Sequence, residues 1–187
     1  MRADARKNYD QLLAVADGVV TEQGATASLR DIARQAGVGL GTLYRHFPTR
    51  EALLEALLRT GFDDFTARAR ALETADSPGD ALASWLRDVV AFTRSYRDVV
   101  ASMVAAIDNP ESALHASCAG VRAAGARLLA RAQAAGAARR DMDGTDLFAL
   151  AGALAWLGDQ PALASRSDHL FDLVASAILT VPAPRSA

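Results

Sequence analysis

The side chains able to do chemistry in this chain crowd into one stretch. Between positions 28 and 50 lie Ser28, Arg30, Thr42, Tyr44, Arg45, His46, Thr49 and Arg50, all hydroxyl, guanidinium or imidazole groups. Each can donate a hydrogen bond to an anionic oxygen, the chemistry of a surface made to meet phosphates. The same set does not suit catalysis. No Ser/His/Asp arrangement, glycine-rich phosphate loop or dinucleotide fingerprint is visible. Acid pairs such as Asp63-Asp64 and Asp141/Asp143 sit beside loops or on polar faces. His115 and His169 belong to no His-x-x-x-His spacing, so no metal site is expected. Cys118, one helical turn from His115, reads as a small buried thiol. The chain is therefore read as a non-enzyme without a cofactor.

Those donors need short helices to hold them. Residues 5–23 repeat apolar positions at Leu12, Leu13, Val15, Ala16, Val19 and Val20, a helical face. Gly24 is a natural stop. Ser28-Leu29-Arg30-Asp31 opens a second helix to about residue 36, with Ser28 capping and Asp31 expected to reach back as in a capping box. Leu29, Ile32, Ala33 and Ala36 would be buried. Gly37-Val38-Gly39 makes a tight turn, and a third helix follows over about 40–46, burying Leu43 and Phe47. Pro48 closes it, and Thr49 caps a longer helix carrying Leu53, Leu54, Leu57 and Leu58. The third helix is too short and too polar to be kept for core burial alone. With Thr42, Tyr44, Arg45 and His46 on it, it has the make-up of a recognition helix in a helix-turn-helix.

Beyond residue 60 the pattern stays helical. Ser77 and Pro78 open one helix and Asp108-Asn109-Pro110-Glu111 breaks the chain again. A long helix is expected to about Ala135, with Gly136 as its stop, and Asp143-Gly144-Thr145-Asp146 opens another to about Leu157. The last helix spans about 168–180. No alternating strand pattern of useful length occurs, so the expectation is an all-α protein of about nine helices. It divides into a three-helix head over 1–48, a second domain over 49–181 and a flexible tail over 182–187. Leu147, Leu150, Leu154 and Leu157 form one apolar stripe, with Gly152, Ala153 and Ala155 leaving its flanks small; Phe171, Val174 and Ile178 belong to a second. Two such helices per subunit would pack as a four-helix bundle across a two-fold axis, or else face inward. Phe62, Phe65, Trp85, Phe92, Met103 and Trp156 are either plain core or the lining of a ligand pocket.

Composition narrows the class. The net charge is −2, so bulk polycation behaviour is excluded, and 51% hydrophobic content is ample for a core. Basic residues outnumber acids over positions 1–50 and the reverse holds beyond, which suits a protein that touches phosphate at one end. A single cysteine forbids an intramolecular disulfide and fits a reducing cytoplasm. No apolar run approaches the length of a membrane span, so no membrane partner is expected.

The run LRDIARQAGVGLGTLYRHFPTREALLEAL, preceded by an apolar helix ending at Gly24, resembles the TetR family of one-component transcriptional regulators. The resemblance covers about residues 8–58. It implies a homodimer that acts as a repressor, binds a palindromic double-stranded DNA operator, and is released by a small-molecule effector of unknown identity held in the second domain. It implies that Ile32, Ala33, Ala36, Val38, Leu43 and Phe47 build the head's core. Tyr44, His46 and Arg50 would meet phosphates, the last beside a helix N-terminus. Ser28 could do so as well as cap. Arg30 and Thr42 would reach base edges. Gly39 stands where many members carry Ser, and Leu40 replaces a residue that is often polar; Leu40 could touch a thymine methyl or face the protein. The helix over residues 49–70 would carry motion between the two domains. The competing reading is a DNA-binding helical protein gated by a protein partner without a small-molecule inducer.

Overall fold

The computed structural model describes residues 2–180. The tail over 182–187 lies outside them. Among the described residues ten α-helices follow one another: α1 (Arg2–Gln23), α2 (Leu29–Gln35), α3 (Leu40–His46), α4 (Arg50–Leu72), α5 (Pro78–Ser95), α6 (Arg97–Ser102), α7 (Val104–Asp108), α8 (Ala113–Ala134), α9 (Gly144–Gly158) and α10 (Ser167–Ile178). Short 3-10 turns occupy Gly24–Thr26 and Ala164–Arg166. Among the described residues there is no strand, only an isolated bridge between Ala138 and Leu179.

The expected stops act as stops for a physical reason. Gly37 and Gly136 have φ of +67° and +71°, where an L side chain is strained. At Gly37, the Val38 amide donates to Ala33 O at 3.0 Å and the Gly37 amide to Arg34 O at 3.2 Å. At Gly136, Ala137 donates to Ala132 O at 2.8 Å and Gly136 to Gln133 O at 3.0 Å. Both are the paired closing bonds that a left-handed residue permits. At the other kind of end, Asp143 accepts from the Thr145 and Asp146 amides while Asp146 accepts from the Asp143 amide, a full capping box for α9. The backbone amides hold the Asp143 carboxyl below its ordinary value.

The run 96–107 is two helices rather than one. Tyr96 and Met103, with ψ of 17° and 7°, leave helical geometry on either side of α6. The chain forms two compact units. One runs through Gly61 and adds Ser95–Ala116; the other takes Phe62–Arg94 and the described residues from Ser117. The segment 95–116 thus belongs with the N-terminal helices, a partition that sequence order does not show.

In the second unit α5, α8, α9, α10 and the end of α4, through Ala69, supply the core, with Trp85 fully buried. The Trp85 indole donates to Phe65 O at 2.9 Å, which satisfies its one polar atom. Phe148 meets the same ring edge-on, 6.0 Å between centroids. Gly125 is what lets α8 approach: a Cβ there would lie 2.7 Å from Trp85 Cη2 and Cζ3. Gly125→Ala is therefore expected to lower unfolding free energy by about 1–3 kcal/mol, the range for overpacked cores, as read by denaturant melts. An unchanged midpoint would show that Trp85 has room to move.

Candidate nucleic-acid interface

The head is built on a small core. Leu12, Ala16, Ile32, Ala33, Leu43 and Phe47 are each at most 2% exposed. They come from α1, α2, α3 and the residue after α3, so burying them fixes all three helices together. Val38 is half-buried behind the turn. Gln11 adds a polar tie, its Nε2 donating to Ala36 O at 2.9 Å across the end of α2. Tyr9 packs on Phe47 at 5.0 Å and meets the His46 ring edge-on at 5.9 Å, pinning the far end of α3.

Each expected contact residue has a definite place. Ser28, in extended conformation, accepts from the Asp31 amide at 3.3 Å and so caps α2. The other half of that capping box is missing. Asp31 instead accepts from Arg34 Nη2 at 3.2 Å, because Arg34 sits one turn along and competes for the carboxylate. In α9 the equivalent Asp146 is followed by Ala149 and Leu150, which offer no rival donor. Gly39 caps α3 without a side-chain bond, its carbonyl receiving the Thr42 and Leu43 amides at 2.8 and 3.2 Å. Thr49 Oγ1 accepts from the Ala52 amide at 3.1 Å and starts α4.

On α3 only Leu43 is buried. Tyr44, at 46% exposure, and Arg45 turn outward; Leu40, Thr42 and His46 are half-buried. Arg30 on α2 is exposed. Arg50 lies differently from a free phosphate ligand. Its Nη1 donates to Ala25 O at 3.2 Å and to Ala27 O, and the residue is half-buried. Sequence reasoning missed Tyr9, Gln11 and Arg50 as internal ties because their partners are backbone carbonyls and rings far along the chain.

The pocket residues are scattered. Phe62, Phe65 and Phe92 come together edge-to-face, with Phe92 6.0 Å from Phe62 and 5.2 Å from Phe65. Trp85 is solid core, and Trp156 is 61% exposed rather than lining anything inside its unit. Met103 is buried in the other unit, on the segment 95–116. Three hollows of the second unit have other linings. One of about 470 Å³ is bordered by Arg139, Met142, Leu150 and Val174, one of about 650 Å³ by Arg122, Gly144 and Phe148, and one of about 60 Å³ by Arg87, Arg94 and Phe171.

Of the two alternatives for the apolar stripes, the burial of their large residues matches the inward one. Leu147, Leu154, Phe171 and Ile178 are at most 5% exposed and are used in the unit's own core; Leu150 and Val174 are half-buried against it, and Leu157 is half-buried. The outward face of α9 is the small-residue flank: Ala149, Gly152, Ala153 and Trp156 are exposed, and a Cβ on Gly152 would meet nothing within 4 Å. Leu173, 52% exposed, is its counterpart on α10.

Two short helices around a left-handed glycine, with the second showing its polar face to solvent, define a helix-turn-helix head. Family comparison agrees. The model for bacterial regulatory proteins of the tetR family matches residues 12–57, and that for the transcriptional regulator SbtR-like C-terminal domain matches residues 77–178. A TetR transcriptional regulator from Streptomyces coelicolor is 34% identical, with 92% of this chain and 99% of that one covered and a TM-score of 0.74. A TetR transcription regulatory protein from Mycobacterium vanbaalenii is 31% identical, with 96% and 99% covered and a TM-score of 0.72. An HTH-type transcriptional regulator of Staphylococcus aureus is 35% identical over 66 residues, 35% of this chain. That match spans 36% of the curated relative's length. The chain belongs to the TetR family, a family of transcriptional regulators and not of enzymes. No described helix is long and apolar enough to cross a membrane.

The local geometry makes Ser28 testable. Ser28→Ala removes the one side-chain cap of α2 and is expected to cost about 1 kcal/mol. Denaturant unfolding followed in the head measures it; no loss would mean that the Arg50 ties alone hold the start of α2.

Proposed function

We propose that the chain is a DNA-binding transcriptional repressor that acts as a homodimer and is released by a small molecule. The observation that carries the DNA reading is α3, a seven-residue helix that buries Leu43, turns Tyr44 and Arg45 outward and leaves Thr42 half-exposed. Tyr44, Arg45, His46 and Thr49 supply donors for phosphate oxygens, with Ser28 beside them at the start of α2. Arg30 and Thr42 reach base edges, and Leu40 offers an apolar contact to a thymine methyl. Direct readout is thin, because Gly39 and Gly41 carry no side chain. Operator preference therefore leans on Arg30, Thr42, DNA shape and the spacing of two heads.

The homodimer reading rests on the outward α9 and α10 faces. Ala149, Gly152 and Ala153 let a partner helix approach closely, and Trp156 and Leu173 supply the apolar area. The second copy is the occupant this reading needs, since a palindromic operator pairs two heads about one two-fold axis. Effector release is supported by family membership and by the hollows of the second unit. A Bacillus subtilis neighbour of 20% identity and TM-score 0.59 was solved in complex with stearoyl-CoA; that likeness carries the fold alone. An effector would act by favouring a head spacing that misses successive major grooves.

Tyr44→Ala is expected to weaken binding to all duplexes alike, while Arg30→Ala weakens mainly the preferred one, by about 1–3 kcal/mol. Fluorescence anisotropy with matched and random duplexes separates them; equal losses for Arg30→Ala would remove its base-reading role. Trp156→Ala is expected to raise the dimer dissociation constant at least tenfold by sedimentation velocity. An unaltered constant would place the dimer contact elsewhere.

A further inference from the structure

Three elements of the first unit meet at the short turn Gly24–Thr26, just ahead of α2. From α4, the Arg50 guanidinium reaches the carbonyls of Ala25 and Ala27. From α6, Asp98 lies against Gly24, where a Cβ would come 3.1 Å from Asp98 Oδ2. Gly24 has φ +72°, so a side chain would be strained there as well as crowded. Just ahead of α6, the Tyr96 hydroxyl donates to Asp17 on α1, two turns before this point. Tyr96 is 4% exposed, and burial with the Asp17 carboxylate beside it pushes its phenol above the ordinary value.

These two arrivals are also covalent routes. α4 starts at Arg50 and leaves the first unit after Gly61, and the chain returns to that unit at Ser95, next to Tyr96. Tyr96 and Met103 interrupt helical geometry on either side of α6, so this six-residue helix is seated on the turn as a separate block. The carbonyl tied by Arg50 at Ala27 is the last before the Ser28 cap. Whatever orients the turn therefore orients Ser28 and Arg30.

We propose that the Gly24–Thr26 turn is the junction that sets the reading helices, and that Arg50 and Tyr96 are positioning residues for DNA binding rather than DNA contacts. This rests on the DNA-binding reading above. Arg50 would help binding by fixing the start of α2, and Tyr96 by holding α6 and α1 in one register. Neither would add a charge contact to phosphate. A guanidinium suits position 50 because its planar group holds the Nη1 donors aimed at both carbonyls; an ammonium on a flexible stem lacks that fixed geometry.

The test uses the full chain and the tightest duplex selected from a random-sequence pool, with an unselected duplex as reference. Variants are Tyr96→Phe, Arg50→Lys and Arg50→Ala. Each is measured over a salt series with its active fraction titrated first. Each is expected to lower the selected-to-random affinity ratio about 3–10-fold, the scale of one or two lost hydrogen bonds, with an unchanged salt slope. Arg50→Lys should behave like Arg50→Ala. Should either Arg50 variant fail to fold, amide exchange at Ser28–Asp31 in Tyr96→Phe gives the second readout and should quicken. The proposal is overturned if Arg50→Ala lowers the salt slope by about 1 while Arg50→Lys restores it, since that marks a phosphate contact. It is equally overturned if Tyr96→Phe keeps both the ratio and the exchange rates. A wild-type protein that selects no duplex would instead sink the DNA-binding reading itself.

Discussion

A helix of seven residues is not stable alone. Isolated helices below about 12–15 residues are marginal in water, so α3 exists only because Leu43 and Phe47 are pulled into a core shared with α1 and α2. That constraint orders the rest of the head. With one fully buried residue on α3, Tyr44 and Arg45 are left exposed and Thr42 half-exposed. Weak local stability also makes the supports matter: the Gly37 closing bonds, the Tyr9 rings, Gln11 on Ala36 and Arg50 on the preceding turn each fix one end of a short helix.

The second unit is stabilised differently. Its core is continuous across five helices and closes around one tryptophan, with Gly125 supplying the room. Exposed ion pairs such as Arg68–Asp88 at 2.6 Å and Arg127–Glu73 at 2.8 Å add little each. Arg94 lies flat against the end of α9, donating to Gly158 O at 3.2 Å, a favourable place for a cation at a helix C-terminus. With the large aliphatic residues of α9 committed inward, what faces out is small, apart from Trp156. A surface of alanine and glycine with one aromatic suits close approach by another helix.

Much of this was legible in the sequence because it is local. Gly24, Gly37 and Gly136 take the left-handed conformation that their positions after helical runs suggested, and Ser28, Thr49, Ser77 and Asp143 all cap. The failures are non-local or depend on competition. Asp31 did not complete its box because Arg34 was a better partner. The break at Met103 leaves no glycine or proline in the sequence to mark it. The Leu147/Leu154 stripe is apolar enough for either side of α9, and only packing decides which side faces the core. Trp85 and Trp156 are the same residue type on similar helices, one fully buried and the other largely exposed. The grouping of 95–116 with the head needs contacts between residues some 70–80 apart, such as Tyr96 with Asp17.

The central claim is that the outward side of α2 and α3 is the surface that meets DNA. Amide chemical-shift mapping on addition of a selected duplex tests it most directly. Shifts concentrated at Ser28–Arg30 and across Leu40–Arg50, with Gly18 on the far half of α1 unmoved, are the predicted result. Perturbations confined to the second unit, or spread evenly over the head, would contradict it.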